Sequence, residues 1–241
     1  MPTALPSLAW RTFYTPKSSQ SLNEYEDAFA GDPERGRFAI ADGATESVFA
    51  GSWARILVDA YVRTPGSWSL WLPSARRRWR SELEEESSQM AWYVETKFAE
   101  GAFAALLGVS FVGDQWHAEA IGDSCLFQVR DDSLRRGFPI RRPTDFANRP
   151  NLLGSRARAV TQLATKRVHL TGDWRQGDVF FLMTDALAEW FLRKFECRGQ
   201  PWKELQALAA DEFNEWIGKL RQAKELRNDD VTLVLIESQT L

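Results

Sequence analysis

Sulfur and imidazole are scarce in this chain. It has two cysteines, Cys125 and Cys197, and two histidines, His117 and His169, in 241 residues. Neither cysteine belongs to a CxxC pair, which excludes a disulfide framework and a cysteine zinc site and suits a reducing cytosol. A cysteine phosphatase is excluded as well. Its arginine would follow the nucleophile by six residues, where this chain has Asp131 and Lys203. Long apolar runs are also missing. The longest uncharged stretch, Gly101 to Gly113, is too short to cross a bilayer. Met1 to Trp10 has neither the basic nor the apolar region of a secretory signal, so the expected location is cytoplasmic. There is no GxxxxGK[ST], no GxGxxG, no Gly-x-Ser-x-Gly and no Asp-x-Asp opening, which removes phosphate-loop, dinucleotide, serine-hydrolase and aspartyl-phosphate chemistry. The net charge is −3 with both signs dispersed, so nothing points to nucleic acid or a membrane as partner.

What is present is enough apolar residue, 44%, to build a full core in one domain spanning 1–241. Three continuous apolar runs have an acid at one end. Phe38 to Ala41 runs into Asp42-Gly43, Val179 to Met183 runs through Thr184 into Asp185, and Asp229-Asp230 opens Val231 to Ile236. Uninterrupted apolar runs read as strands buried on both faces, so each acid falls where its strand leaves the core. Gly43, lacking a side chain, is free to turn its carbonyl toward a ligand.

In order, the pattern predicts a strand over 8–14, an exposed loop over 15–22 that holds Lys17, and a strand over 23–30 with Glu26 and Asp27 adjacent. On a strand those two acids would point to opposite faces. The strand ending at Asp42 leads to a helix over 47–63, capped by Thr45 or Ser47. A second helix follows over 74–100, its Arg76, Arg77, Arg78 and Arg80 facing Glu82, Glu84, Glu85 and Glu86 as a solvated ion-pair face. Strands over 102–112 and 115–121, joined at Gly113-Asp114, precede Gly122-Asp123-Ser124 and a strand over 126–130. Residues 131–164 read as irregular and arginine-rich, a surface that could guide an anionic substrate. A strand over 165–170, the strand ending at Asp185, helices over 186–195 and 202–225, and a final strand complete the chain. His117 and His169 read as ordinary strand residues.

If Asp42, Asp185 and Asp229 converge, each ionised pair about 4 Å apart repels by about 4 kcal/mol at a protein-like dielectric. Arg227 is close in sequence to Asp229, but one guanidinium cannot serve three acids. Divalent cations are the natural counter-charge, and all-oxygen ligation selects magnesium or manganese over zinc. Two such ions lower the pKa of a water held between them and present hydroxide to phosphorus.

Asp42-Gly43 after an apolar strand, Gly122-Asp123-Ser124 after a hairpin, Thr184-Asp185-Ala186 and Asp229-Asp230-Val231-Thr232, in this order, resemble the protein phosphatase 2C family of metal-dependent serine/threonine phosphatases. The resemblance covers nearly the whole chain. It implies an α+β fold, a four-layer α-β-β-α sandwich of two antiparallel sheets flanked by helix pairs. It also implies that Asp42 bridges two Mg2+ or Mn2+ ions, that Gly43 binds through its carbonyl, and that Asp185 and Asp229 complete the centre. Asp123 would help hold a third ion, and Glu26 and Asp27 would hold the waters. The implied reaction is hydrolysis of phosphoserine or phosphothreonine on proteins by the metal-bridging hydroxide, by a monomer, with a cognate Ser/Thr kinase as a further partner. The chain departs from the family pattern in two places. Ala44 stands where a histidine is frequent, and the loop a few residues before Glu26-Asp27 has no arginine, so Lys17 is the candidate for gripping phosphate. These departures leave a second reading, a catalytically weak or inactive module that binds a phosphorylated partner.

Overall fold

The computed structural model describes residues 8–45, 47, 49–87, 101–146, 150–156 and 167–238, side chains of 83–87 excepted. The strands are β1 (Leu8–Thr15), β2 (Ala28–Asp32), β3 (Arg37–Gly43), β4 (Phe103–Val112), β5 (Gln115–Ile121), β6 (Cys125–Arg130), β7 (Ser133–Phe138), β8 (Leu153–Gly154), β9 (Val168–Asp173), β10 (Val179–Met183) and β11 (Val231–Ser238). The helices are α1 (Ala50–Arg63), α2 (Trp68–Ser87), α3 (Asp185–Glu196), α4 (Pro201–Ala207) and α5 (Phe213–Gln222). One sheet has five strands in the order β1-β11-β10-β6-β7. The other has six, β2-β3-β4-β5-β9 with β8 beside β4. The pairings between strands are antiparallel.

The apolar runs are continuous because each strand feeds two cores at once. In β3, Phe38 and Ile40 enter the layer between the sheets, whereas Ala39 and Ala41 face the layer under α1 and α2. In β11, Val234 and Ile236 point between the sheets, and Val231, Leu233 and Leu235 pack toward α3, α4 and α5. Period-2 alternation thus sends successive side chains to different cores, both of them dry. The result is the expected α-β-β-α sandwich. Where α1 crosses β4, the Gly108 position is closed to any side chain: a Cβ there would stand 2.4 Å from the Tyr61 ring.

Several expected boundaries move, each for a local reason. The strand expected over 23–30 begins only at Ala28. Before it, the Ser21 amide and hydroxyl both donate to the Glu24 carboxylate (2.9 and 3.0 Å), closing a 3-10 turn at Leu22–Glu24. Local side-chain bonds of this kind compete with a ladder. The second helix starts at Trp68, ahead of Pro73, because Trp68, Trp71, Leu72, Ala75 and Trp79 form one buried face against α1. Of its expected ion-pair face, Arg78 bonds Glu82 (2.6 Å) and also Asp59 of α1 (2.6 Å); residues 88–100 lie outside the described residues. The stretch expected to be irregular contains β7. The long helix expected over 202–225 is two, because the chain extends at Leu208, where Arg11 of β1 takes the Gln206 and Leu208 carbonyls (3.1 and 3.5 Å). The strand expected over 165–170 is β9, displaced toward Asp173. Neither Thr45 nor Ser47 caps α1; Phe49 stands at the cap in the left-handed region, φ 62°.

Candidate metal centre

Four turns meet at one end of the paired sheets. Asp42 lies at the end of β3 opposite Ala105, and Asp123 lies in the crossing from β5 to β6. Asp185 opens α3, separated from the end of β10 by Thr184 alone, and Asp229 lies two residues before the start of β11. Since Met183 pairs with both Cys125 and Leu233, the register of the central strands brings the last three turns together. Carboxylate oxygens of Asp42, Asp123 and Asp185 all lie within 4.8 Å of one another. Asp123 therefore stands with Asp42 and Asp185 in one cluster. Gly122 makes this possible. Its φ is +101°, and a Cβ there would come within 2.4 Å of the Ala105 Cβ.

Asp229 stands beside this cluster and is joined to it by Arg227. That guanidinium contacts the Asp185 carboxylate and lies 3.7 Å from Asp229 and 3.9 Å from Glu189. The loop expected to be exposed is so at Ser18, Ser19, Ser21 and Leu22, but its Lys17 end folds back onto the site. The Lys17 side chain is only 16% accessible, and its Nζ lies 3.2 Å from Asp229 Oδ1 and 2.6 Å from Thr45 Oγ1. Thr45 thus serves the site and not the helix. Burial alone would lower the Lys17 amine, but Asp229 beside it prevails and holds the pKa above its ordinary value. The same loop is anchored where Arg221 donates to the Pro16 carbonyl (3.0 Å).

Glu26 and Asp27 are not on a strand, yet they do part company. Asp27 is buried and accepts from Thr232 Oγ1 (2.7 Å), while Tyr25 bonds the same hydroxyl. Glu26 faces Thr45 and Lys17. Its amide and that of Lys17 both donate to the two oxygens of buried Asp230 (2.8 and 2.9 Å). Thr184 Oγ1 accepts the Thr232 amide (2.9 Å). Sequence reasoning alone does not single out Asp230, Thr232, Thr184 and Tyr25 as residues that build the site. The only available signal was the adjacency of two acids ahead of β11. At Gly43 a Cβ would meet the Glu26 carbonyl at 2.6 Å, so the Asp27 segment and the end of β3 touch through that glycine. His117 bonds Thr171 on the neighbouring strand (3.1 Å), as an ordinary strand residue does.

The electrostatics are those of crowded acids. Burial first, then Asp27, Asp123 and Asp229, push Asp42 well above the carboxylate range, with Arg227 opposing. Burial raises Asp123, moderated by a backbone bond and by Arg227. Asp27 is pushed up to about 7, chiefly by burial. Asp185 Oδ1 and Asp27 Oδ1 are buried without a hydrogen-bond partner in the protein. Unpartnered buried oxygens, and carboxylates raised by burial first and by neighbouring acids after it, both call for positive charge, and an all-carboxylate donor set fits hard divalent ions.

A sandwich of this order, with acids from four turns gathered where its two sheets end, defines the class of metal-dependent phosphatases. The family model described as "Protein phosphatase 2C" matches residues 19–227, and the chain belongs to that family, enzymes that act as protein serine/threonine phosphatases. The match stops short of Asp229. No curated protein matches by sequence. Among solved structures, the serine/threonine phosphatase PstP/Ppp of Mycobacterium tuberculosis is 16% identical with a TM-score of 0.64, covering 97% of this chain and 99% of that one. The catalytic domain of PstP in complex with two manganese ions is 17% identical, with a TM-score of 0.61 over 95% and 97% of the two chains. PppA, described as a key regulatory component of T6SS in Pseudomonas aeruginosa, is 15% identical, with a TM-score of 0.60 over 98% and 99%. At such identities the likeness is one of fold. Among the described residues no helix is long and apolar enough to cross a membrane.

Proposed function

We propose that this chain is a single-domain phosphatase that requires Mg2+ or Mn2+ and hydrolyses phosphoserine or phosphothreonine on proteins. The observation that carries the reading is the approach of the Asp42, Asp123 and Asp185 carboxylates to within 4.8 Å of one another. At that separation each ionised pair repels by about 3 kcal/mol at an effective dielectric of about 20. When bound, divalent ions supply the offsetting charge and the Lewis acidity that lets water attack phosphorus near neutral pH.

In this reading Asp42, Asp185 and Asp229 hold the ions, with Asp123 beside them and the Gly43 carbonyl as a further donor. Asp27 and Glu26 accept hydrogen bonds from water at the centre. Lys17 takes the substrate phosphate, for which its ammonium is placed by Asp229 and Thr45 and its loop by Asp230 and Arg221. Ala44 offers no proton to the leaving serine, so that proton comes from solvent at the centre. The relatives support a phosphorylated protein as substrate; a kinase of matching specificity as its counterpart and a monomeric enzyme belong to the proposal alone.

The test is hydrolysis of p-nitrophenyl phosphate and of a phosphothreonine peptide with Mn2+, with Mg2+ and with chelator, for the native chain and for Asp42→Asn. Metal-dependent turnover that falls at least a hundredfold in the variant is expected. Absence of turnover by the native chain with either metal would leave the fold as a phosphopeptide-binding module.

A further inference from the structure

Resting on the phosphatase reading, we infer that the arginine-rich edge of the sandwich holds a second anion site. It takes a phosphoryl or carboxylate group on the substrate chain about five residues from the phosphoserine being hydrolysed. The site is a cavity of about 360 Å³ lined by Arg135, Arg136, Gly137 and Arg141 on one side and Leu170 and Thr171 on the other. It opens where β7, the edge of one sheet, lies beside β9, the edge of the other.

Its construction follows from a bulge. Gln128 pairs with Arg136 and Val129 with Leu134, so Arg135 has no partner in the register. A bulge re-aims side chains, and here it brings consecutive arginines to the same opening. Backbone bonds steady two of the guanidiniums: Arg136 Nη1 donates to the Arg135 carbonyl and Arg141 Nε to the Gly137 carbonyl, each at 3.3 Å. Most of the five N–H donors of each remain available.

Among the described residues none of the three is ion-paired. Acids nearby are already engaged: Asp173, whose pKa Arg135 helps to lower, is bonded to Arg130 (2.9 Å), and Asp145 to Arg142 (3.2 Å). Three like charges around one concavity are unfavourable until an anion enters. Guanidinium forks match phosphate oxygens bidentately. Thr171, whose hydroxyl bonds His117, and half-buried Leu170 form the opposite wall.

Distance decides which partner this suits. From Asp123 to Gln128, the partner of Arg136, the chain follows β6, and at about 3.3 Å per residue that separation is roughly 17 Å. An extended peptide covers it in about five residues. The two sites can therefore grip one peptide together, so that ordering it once serves both contacts. A net charge of −3 and a concave, phosphate-sized cavity favour an acidic or multiply phosphorylated peptide over a nucleic acid, which would need a broad basic face.

The test compares three peptides that share one phosphoserine and carry phosphoserine, glutamate or alanine five residues away. Each is assayed with Mn2+ on the native chain and on the variant Arg135→Gln/Arg136→Gln/Arg141→Gln. The expected result is a kcat/KM at least tenfold higher for the doubly phosphorylated peptide than for the alanine peptide. In the variant that preference should fall below threefold, with p-nitrophenyl phosphate turnover unchanged. A glutamate peptide as good as the doubly phosphorylated one assigns the site to acidic segments; a poorer one assigns it to phosphoryl groups. No preference in the native chain, or a preference kept by the variant, overturns the inference. Should the chain hydrolyse nothing, the phosphatase reading fails alone. Fluorescence anisotropy of the labelled doubly phosphorylated peptide then decides, with a tenfold weaker Kd in the variant expected and equal affinities overturning the site.

Discussion

Asp230 shows how a single carboxylate can build a site without standing in it. It is 4% exposed, and its two oxygens accept the amides of Lys17 and Glu26, segments more than two hundred residues away in sequence. A charged acceptor for a backbone amide contributes roughly 1.5–3 kcal/mol, so Asp230→Ala should destabilise the chain by about 3 kcal/mol. It should also weaken substrate binding by releasing Lys17, raising KM more than it lowers kcat. Urea unfolding together with steady-state kinetics checks both effects, and a variant with native stability would show that the two amides have other partners. Asp42 and Asp185 are legible from sequence because each closes an apolar run, whereas Asp123 is reached only through the Gly122-Asp123-Ser124 motif of the family resemblance. Thr232 and Tyr25 are not legible at all. Their hydroxyls matter only through Asp27, and no spacing in the chain reveals a bond between residues 27 and 232.

At the scale of elements, β4 and α1 depend on each other through one missing side chain. A Cβ at Gly108 would stand 2.4 to 2.7 Å from three atoms of the Tyr61 ring. That ring is 2% exposed and has the Arg37 guanidinium 4.4 Å from its centroid, so it cannot step aside. Overpacking of this kind costs about 1–3 kcal/mol, and Gly108→Ala should lower Tm by roughly 2–12 °C. Adding Tyr61→Leu should recover part of the loss in a double-mutant cycle, whereas strictly additive effects would count against the contact. Strands with clean apolar runs were readable to within a residue or two, among them β3, β10 and β11. The strand β7 was not, because an edge strand with one wet face and a bulge at Arg135 has neither an apolar run nor strict alternation. The helix α2 starts ahead of its expected position because Pro73 signals a boundary only locally, whereas Trp68, Trp71 and Leu72 are drawn into the helix by the core they fill.

For the molecule as a whole, the gathered acids tie stability to pH and to metal. Burial and like charge raise Asp27 from 3.8 to about 7, and raise Asp42 and Asp123 in the same direction. Between the unfolded and folded values the folded state holds protons that the unfolded chain has released. Stability is therefore fullest below about pH 4 with respect to these groups, and falls as pH rises toward 7. Asp27 alone makes this a change on the order of a few kcal/mol. Urea unfolding in chelator between pH 4.5 and 7.5 should show the decline. Manganese at about a hundred times its Kd should restore roughly 2.7 kcal/mol at pH 7.5, raising Tm by roughly 5–10 °C. Stability that rises across this window in chelator, or a Tm indifferent to manganese, would contradict the assignment of these carboxylates to a metal centre.

By itself the sequence determined the buried strands, the helices that cover them and the acids at the rim, while the four-layer order followed only from the family resemblance. Continuous apolar runs fix which strands are buried on both faces, helical spacing fixes which segments cover them, and an acid at the end of a buried strand has nowhere to go but the rim. Those are consequences of burial, which each residue carries in its own chemistry. Only the tertiary structure decided which rim acids meet, that Asp123 joins Asp42 and Asp185 while Asp229 is linked through Arg227 and Lys17, and that Arg135, Arg136 and Arg141 share an opening with β9. Such meetings depend on strand register and on how two sheets are stacked, and those are set by the sum of many contacts between distant residues.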